Sequence, residues 1–328
     1  MKQESITTGS HDGLFYSKIL LFGEYSLMSG SMAFSLPFRR YGARFSYVGL
    51  NGDGDPDFER HLNGLLGDYC SWLEFAGKDS ELAGLFDIDG FKDELEKGLY
   101  LDSDIPKGYG MGSSGVLCAA VYDRFAINKA NSNIVAGGDG ISGLKRIFAL
   151  MESKFHGTSS GLDPLTSWLN LPLLVNPGGG IEPVDLAKLR RGEVPAVFLI
   201  DTGRMKQTGP LVDNYLQKME DDSFRLPVEG LLIPSVNSCI NAIIYSQVTE
   251  FFSALRPVSQ FQMEYLVELI PPRFKGVWRR GIEGGDYFLK LCGSGGGGFL
   301  LGFTRDIERS GDIVRESGFG IIPVNELF

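Results

Sequence analysis

The residues with the clearest chemistry in this chain are glycines and serines. Residues 106–115 read PKGYGMGSSG, and the apolar run VLCAAVYDRFAI follows at once. Gly108, Gly110 and Gly112 exclude an ordinary strand or helix, whereas the next dozen residues read as one buried helix. Pro106 to Ser114 therefore lead into a helix N-terminus, where unpaired N–H groups and the helix dipole can hold an anion. Glycine backbone, with Tyr109 and Met111 interleaved, can approach phosphate oxygens, and Ser113 and Ser114 offer hydroxyls to a phosphate or to Mg2+. The run lacks the lysine of a P-loop and is not a strand-initiated GxGxxG of dinucleotide type. Taken alone, it reads equally as a glycine turn with a serine cap.

A second segment, ESKFHGTSSGLDP, begins at Glu152 on the last turn of an amphipathic helix and reaches Asp163 at the start of the next. Two carboxylates brought to one cleft suit phosphoryl transfer: one holds Mg2+, and the other accepts a proton from, or orients, the attacking hydroxyl. Asp163 followed by Pro164 is also a good helix cap, and His156 beside Gly157 reads as structural. The third segment, KLCGSGGGGF at 290–299, has β-rich apolar sequence on both sides. Gly293, Ser294 and Gly295 open a tight loop that lets a ligand or a neighbouring loop come close. Phosphoryl transfer also needs fixed positive charge. Lys18, which interrupts an apolar strand, is the leading candidate, with an edge-strand gatekeeper as its alternative role. Lys206, in DTGRMKQTG, is a weaker one.

These side chains need elements to hold them. FYSKILLF reads as a strand entering a loop at 23–30, and FRRYGARFSYVGL as another strand. Helices are expected at 58–76 and 91–97, then a short strand in GLYLDSDIP, then the glycine loop and its helix. Ile141, Leu144, Phe148, Met151 and Phe155 recur at intervals of three and four, the stripe of an amphipathic helix. DPLTSWLNL is a further helix. Beyond NPGGG, VPAVFLIDTG reads as a buried strand, 234–255 and 260–270 as helices, and DYFLKLCGSGGGGFLLGFT as two strands around a glycine loop. A boundary in NPGGGIEPVDLAKLRRGEVP divides the chain into domains at 1–185 and 186–328.

Composition excludes several classes. The net charge of −10 argues against broad nucleic-acid binding, which needs a basic surface. No uninterrupted apolar run approaches a membrane span, and the polar N-terminus lacks the core of a signal peptide. Cys70, Cys118, Cys239 and Cys292 form no CxxC pair, so reduced thiols in a cytoplasm fit best. The 44 glycines cluster in GYGMG, NPGGG, IEGG and GSGGGG, a pattern of shaped loops.

The three segments, in this order and at these separations, resemble those of the galactokinase, homoserine kinase, mevalonate kinase and phosphomevalonate kinase family. PKGYGMGSSG looks like its phosphate-binding loop and GSGGGG (293–298) like its C-terminal glycine motif. The stretch from Glu152 through His156, Gly157, Ser160 and Gly161 to Asp163 is similar to the motif of the mevalonate kinase branch, and Asp163 argues against the homoserine kinase branch, which lacks it. The resemblance implies an α+β fold of two domains, an N-terminal one like ribosomal protein S5 domain 2 and a C-terminal ferredoxin-like one, with the site between them. It implies ATP and Mg2+ as cofactors and a small-molecule alcohol as substrate, foremost mevalonate on the way to isoprenoid precursors. Asp163 would be the catalytic acid/base, Ser113 and Glu152 the Mg2+ ligands, and Lys18 the cation beside the transferred group. Thr208 would lie near the substrate hydroxyl, with Glu24 and Tyr25 bordering the acceptor.

The departures are Ser17 for the usual glycine, Tyr25 where histidine stands, Tyr109 and Gly115 for alanine, and an unmatched segment at 273–287. Two alternatives stay open: an acceptor such as phosphomevalonate or a sugar, and a non-catalytic relative that binds ligand and regulates a partner. A phosphorylated acceptor would need extra cations, for which Arg39, Arg40, Arg279 and Arg280 are the available clusters. Membrane and nucleic-acid partners are not expected, and a homodimer is compatible with all of this.

Overall fold

A computed structural model describes residues 13–50, 54–76, 80–130, 139–185, 194–205, 209–325 and 327. The elements in chain order are β1 (Phe15–Phe22), a 3-10 turn (Ser26–Ser29), β2 (Ala33–Tyr47), α1 (Pro56–Ala76), α2 (Ile88–Glu96), β3 (Leu99–Ser103) and α3 (Ser113–Phe125). There follow α4 (Asp139–His156), α5 (Leu162–Leu169), β4 (Leu173–Val175), β5 (Ile181–Pro183), β6 (Ala196–Asp201), α6 (Gly209–Lys218) and α7 (Asp222–Pro227). A π-helical turn (Val228–Leu232) leads into α8 (Ile233–Ile244), then α9 (Val248–Tyr265), α10 (Lys275–Gly284), β7 (Tyr287–Leu291), β8 (Phe299–Thr304), α11 (Ile307–Glu316) and β9 (Ile322–Val324).

The chain forms two compact units, neither of them a continuous stretch. One comprises residues up to Lys18, Pro37–Ile105 and Gly112–Leu171; the other Ile19–Leu36, Pro106–Met111 and everything from Pro172. Relative to a single cut near 186, the segments 19–36, 106–111 and 172–185 belong to the second unit.

In the first unit the C-terminal half of β2 pairs antiparallel with β3, from Ala43 opposite Ser103 to Tyr47 opposite Leu99. The helix α3 carries small and apolar residues all round, GVLCAAV, and such a helix belongs in a core. Gly115, Val116, Cys118, Ala119, Ala120 and Val121 are buried accordingly. The stripe on α4 is buried through Ile141, Leu144, Phe148 and Met151, but Phe155 is 42% exposed and stacks on Tyr69. Glu152 follows Met151 and lies one turn from Phe148, so the same stripe carries a carboxylate inward.

In the second unit an antiparallel sheet runs β7-β8-β6-β9. The hairpin β7–β8 pairs Tyr287 with Thr304 and Leu291 with Leu300, leaving residues 292–298 as its loop. The 33–35 end of β2 pairs with β4, which pairs in turn with β5. The helices expected at 234–255 and 260–270 are divided differently: one run spans 222–244 and α9 continues unbroken to Tyr265. Ser246 explains the break, because at φ 55 it turns the chain out of the helix between α8 and α9. The run 222–244 is long and apolar enough by length and composition to cross a membrane. It also packs Val228, Leu232, Val236, Cys239, Ile240 and Ile243 into the core. All four cysteines are buried and none forms a disulfide.

Candidate active site

Lys18 and Asp163 meet at the start of α3. Lys18 lies on β1 and Asp163 in the first turn of α5; Nζ and Oδ2 are 2.9 Å apart, with the lysine side chain 6% and the aspartate 31% exposed. A Cβ placed on Gly112, the N-cap of α3, would stand 3.0 Å from Lys18 Cγ and 3.5 Å from Asp163 Oδ2. The ion pair therefore abuts the helix end where N–H groups point outward. Gly161 is the N-cap of α5, so Asp163 is not the cap; β1 is the end strand of its sheet, but Lys18 is buried on a carboxylate instead of facing solvent as a gatekeeper would.

The close approach of α5 to α3 depends on Gly115. A Cβ there would come 2.8 Å from Pro164 N and 2.9 Å from Asp163 Cβ, so even an alanine would push the aspartate away. Behind the pair, Glu152 is buried, accepting hydrogen bonds from Ser114 Oγ at 2.8 Å and from Ser159 Oγ. Burial, reinforced by the negative charge of Asp163, raises its carboxyl from 4.5 to about 7, against the two serines and Lys18. The Glu152 and Asp163 carboxyl groups, beside half-buried Ser113, are a donor set that fits a small divalent cation completing its shell with phosphate oxygens and water.

The loop before α3 alternates in backbone hand: Gly108, Gly110 and Gly112 have φ of 74°, 75° and 75°. Side chains are strained there, and glycine leaves the N–H groups open to an anion. In the second unit the glycine loop 292–298 lies against this segment. A Cβ on Gly298 would stand 2.8 Å from the Tyr109 carbonyl oxygen, and the rings of Tyr109 and Phe299 meet edge to face at 4.9 Å. Tyr109 is thus seated on β8, and Met111 is buried.

The same loop engages the turn after β1. Lys290 Nζ donates to Glu24 Oε1 at 2.6 Å, with the side chains 1% and 4% exposed, and to the Leu291 carbonyl at 2.6 Å. The Gly293 N–H also faces Glu24 Oε1, at 3.4 Å. Burial raises the Glu24 carboxyl's pKa, opposed by the Lys290 ammonium. Tyr25 donates its hydroxyl to the Ser294 carbonyl and packs its ring on Tyr215 at 4.8 Å. Its backbone sits at φ 62°, ψ −52°, a conformation costing an L residue about 1–3 kcal/mol. Gly295, beyond Ser294, takes φ 71°.

The structure therefore groups Lys18, Gly112, Ser113, Ser114, Glu152 and Asp163 in one unit, and Glu24, Tyr25, Tyr109, Gly293 and Ser294 in the other. His156 ends α4, its side chain outside what is described; Thr208 and Lys206 lie outside the described residues. Sequence reasoning missed Ser159 and Lys290. For Lys290 the signal was present: like Lys18, it is a lysine inside an apolar strand. Of the arginines, Arg280 pairs with Glu316, while Arg39 is exposed over the Tyr16 ring, centroid at 5.8 Å.

No protein-family model matches the sequence, and no curated protein matches it. Solved structures do match. The mevalonate kinase of L. major in complex with R-mevalonate is similar over 98% of both chains, at 13% identity and a TM-score of 0.60. The phosphomevalonate kinase of Streptococcus pneumoniae in complex with phosphomevalonate and AMPPNP shares 13% identity over 95% of this chain and 98% of its own, with a TM-score of 0.57. The galactokinase of Lactococcus lactis complexed with galactose covers 94% of this chain and 92% of its own, at 13% identity and a TM-score of 0.59. At these identities the likeness is one of fold.

Proposed function

We propose that this chain, whose fold is that of the galactokinase, homoserine kinase, mevalonate kinase and phosphomevalonate kinase family, transfers the γ-phosphoryl group of ATP to an alcohol, with mevalonate as the acceptor. The observation that carries this reading is the Lys18–Asp163 pair at the N-terminus of α3, with Gly112 against it.

In this reading the loop 106–112 and the first N–H groups of α3 bind the phosphates. Asp163, with 31% of its side chain open, accepts the proton of the acceptor hydroxyl and orients the oxygen for attack. Lys18 holds its ammonium where negative charge gathers on the transferred group, and being already fixed on Asp163 it needs little reorganisation. Ser113 and Glu152 would hold Mg2+, which when bound neutralises charge on the phosphate oxygens. Glu24 and Tyr25 border the acceptor. A relative that only bound ligand would need neither the open aspartate nor the lysine fixed beside it.

Release of ADP is the direct test, with mevalonate, phosphomevalonate, homoserine and galactose as acceptors. Turnover with mevalonate is expected; ATP binding without turnover on any alcohol would overturn the reading. Arg39, exposed on Tyr16 two residues before Lys18, favours a phosphorylated acceptor as the second reading. A higher kcat/KM for phosphomevalonate than for mevalonate would put that reading first.

A further inference from the structure

The pair Lys290–Glu24 lies apart from the groups assigned to proton transfer and charge stabilisation, yet it is the most enclosed ion pair among the described residues. Stability alone is a poor reason for it. Burying two charges costs desolvation that their attraction barely offsets, and apolar residues of similar volume often serve as well. An ion pair differs from an apolar contact in fixing direction. Here Glu24 Oε1 receives Lys290 Nζ at 2.6 Å and faces the Gly293 N–H, so the carboxylate is aimed at the mouth of the glycine loop. The next residue, Tyr25, is held at positive φ while its hydroxyl reaches the Ser294 carbonyl. A strained turn persists only where its surroundings over-determine it. The far end of the same loop, Gly298 and Phe299, carries Tyr109 of the phosphate loop.

We propose that Lys290 is a positioning residue: its ammonium clamps the Glu24–Tyr25 turn onto the 292–298 loop, so that one hairpin, β7–β8, sets the acceptor-side turn and the phosphate loop in register. The inference rests on the kinase reading for its kinetic consequence, though not for its structural one. Lys290 acts through Glu24 and Tyr25 and touches neither substrate.

Two measurements test it. Hydrogen exchange read by mass spectrometry on Lys290→Met needs no activity: amides of 23–31 should lose protection by about tenfold or more, while those of α3 stay as in the parent. Unchanged exchange at 23–31 would overturn the clamp even in a protein with no kinase activity. With an active enzyme, Lys290→Met should raise the acceptor KM about 10- to 100-fold, the usual effect of removing an orienting partner, with the ATP KM within about twofold. The double variant Lys290→Met/Glu24→Leu guards against mere unfolding, since an apolar pair should restore the melting temperature. If protection at 23–31 stays low in it, direction is what the ion pair supplies; if protection returns to the parent value, the pair is only filler and the proposal fails.

Discussion

Two lysine–carboxylate pairs of the same chemistry stand in the two units. In Lys18–Asp163 the aspartate side chain is 31% exposed, whereas Lys290–Glu24 is closed to within a few per cent on both sides. Lys18 comes from a strand and Asp163 from the first turn of a helix, an arrangement that leaves one face of the carboxylate to a ligand. Lys290 comes from β7, an end strand of its sheet, and Glu24 from the turn after β1, with the Leu291 carbonyl taking another ammonium proton. On the roles proposed above, exposure, more than distance, separates the pair set for proton exchange from the one that holds a backbone in place.

The largest expected effect attacks the open pair. Asp163→Asn should lower kcat by about 10²–10⁴-fold while calorimetry finds ATP affinity nearly unchanged; an undiminished kcat would reduce the aspartate to an ion-pair partner. The enclosed pair should answer in stability instead. Glu24→Leu leaves a buried ammonium unpaired and should cost about 3–5 kcal/mol in chemical denaturation, most of it recovered by adding Lys290→Met. Lys18→Met reverses the weighting: kcat should fall about 10²–10³-fold, with stability shifted by about 1 kcal/mol or less because its partner can rehydrate. Equal stability losses for Glu24→Leu and Lys18→Met would erase the distinction drawn here.

The smallest effect is a pH dependence. Glu152 binds its proton more tightly folded, at about 7, than unfolded, at 4.5. Between those values the folded state holds more protons, so this group's contribution to stability grows as pH falls from above 7 toward 4.5. In metal-free protein the difference should be on the order of 1–3 kcal/mol. Comparing Tm against pH for the parent and Glu152→Gln checks it; parallel curves would mean that burial does not hold the proton.

Much of this was legible in the chain. Periodicity located α4, because a buried stripe must repeat every three or four residues, and Glu152 falls on its last turn; an unbroken apolar run marked α3. The three glycine and serine segments led to the fold that the solved structures share. Other features left no local mark. Phe155 continues the stripe in sequence yet lies exposed on Tyr69, since the stripe outlasts the partners that cover it. Lys290 carried a signal as a lysine inside an apolar strand, but its partner did not, because a strand lysine reads the same whether it meets solvent or a carboxylate more than 260 residues away.

Residue types and spacing by themselves determined which atoms are available: a helix start behind alternating glycines, two carboxylates eleven residues apart, and lysines within apolar strands. That follows from short-range physics, since backbone freedom and side-chain period are local. Only the tertiary structure decided that Asp163 meets Lys18 instead of capping its helix, that Glu152 is desolvated to about 7, and that Glu24 is spent on Lys290. Those outcomes depend on which distant group shares a low-dielectric space with each charge, and the packed fold alone sets that distance.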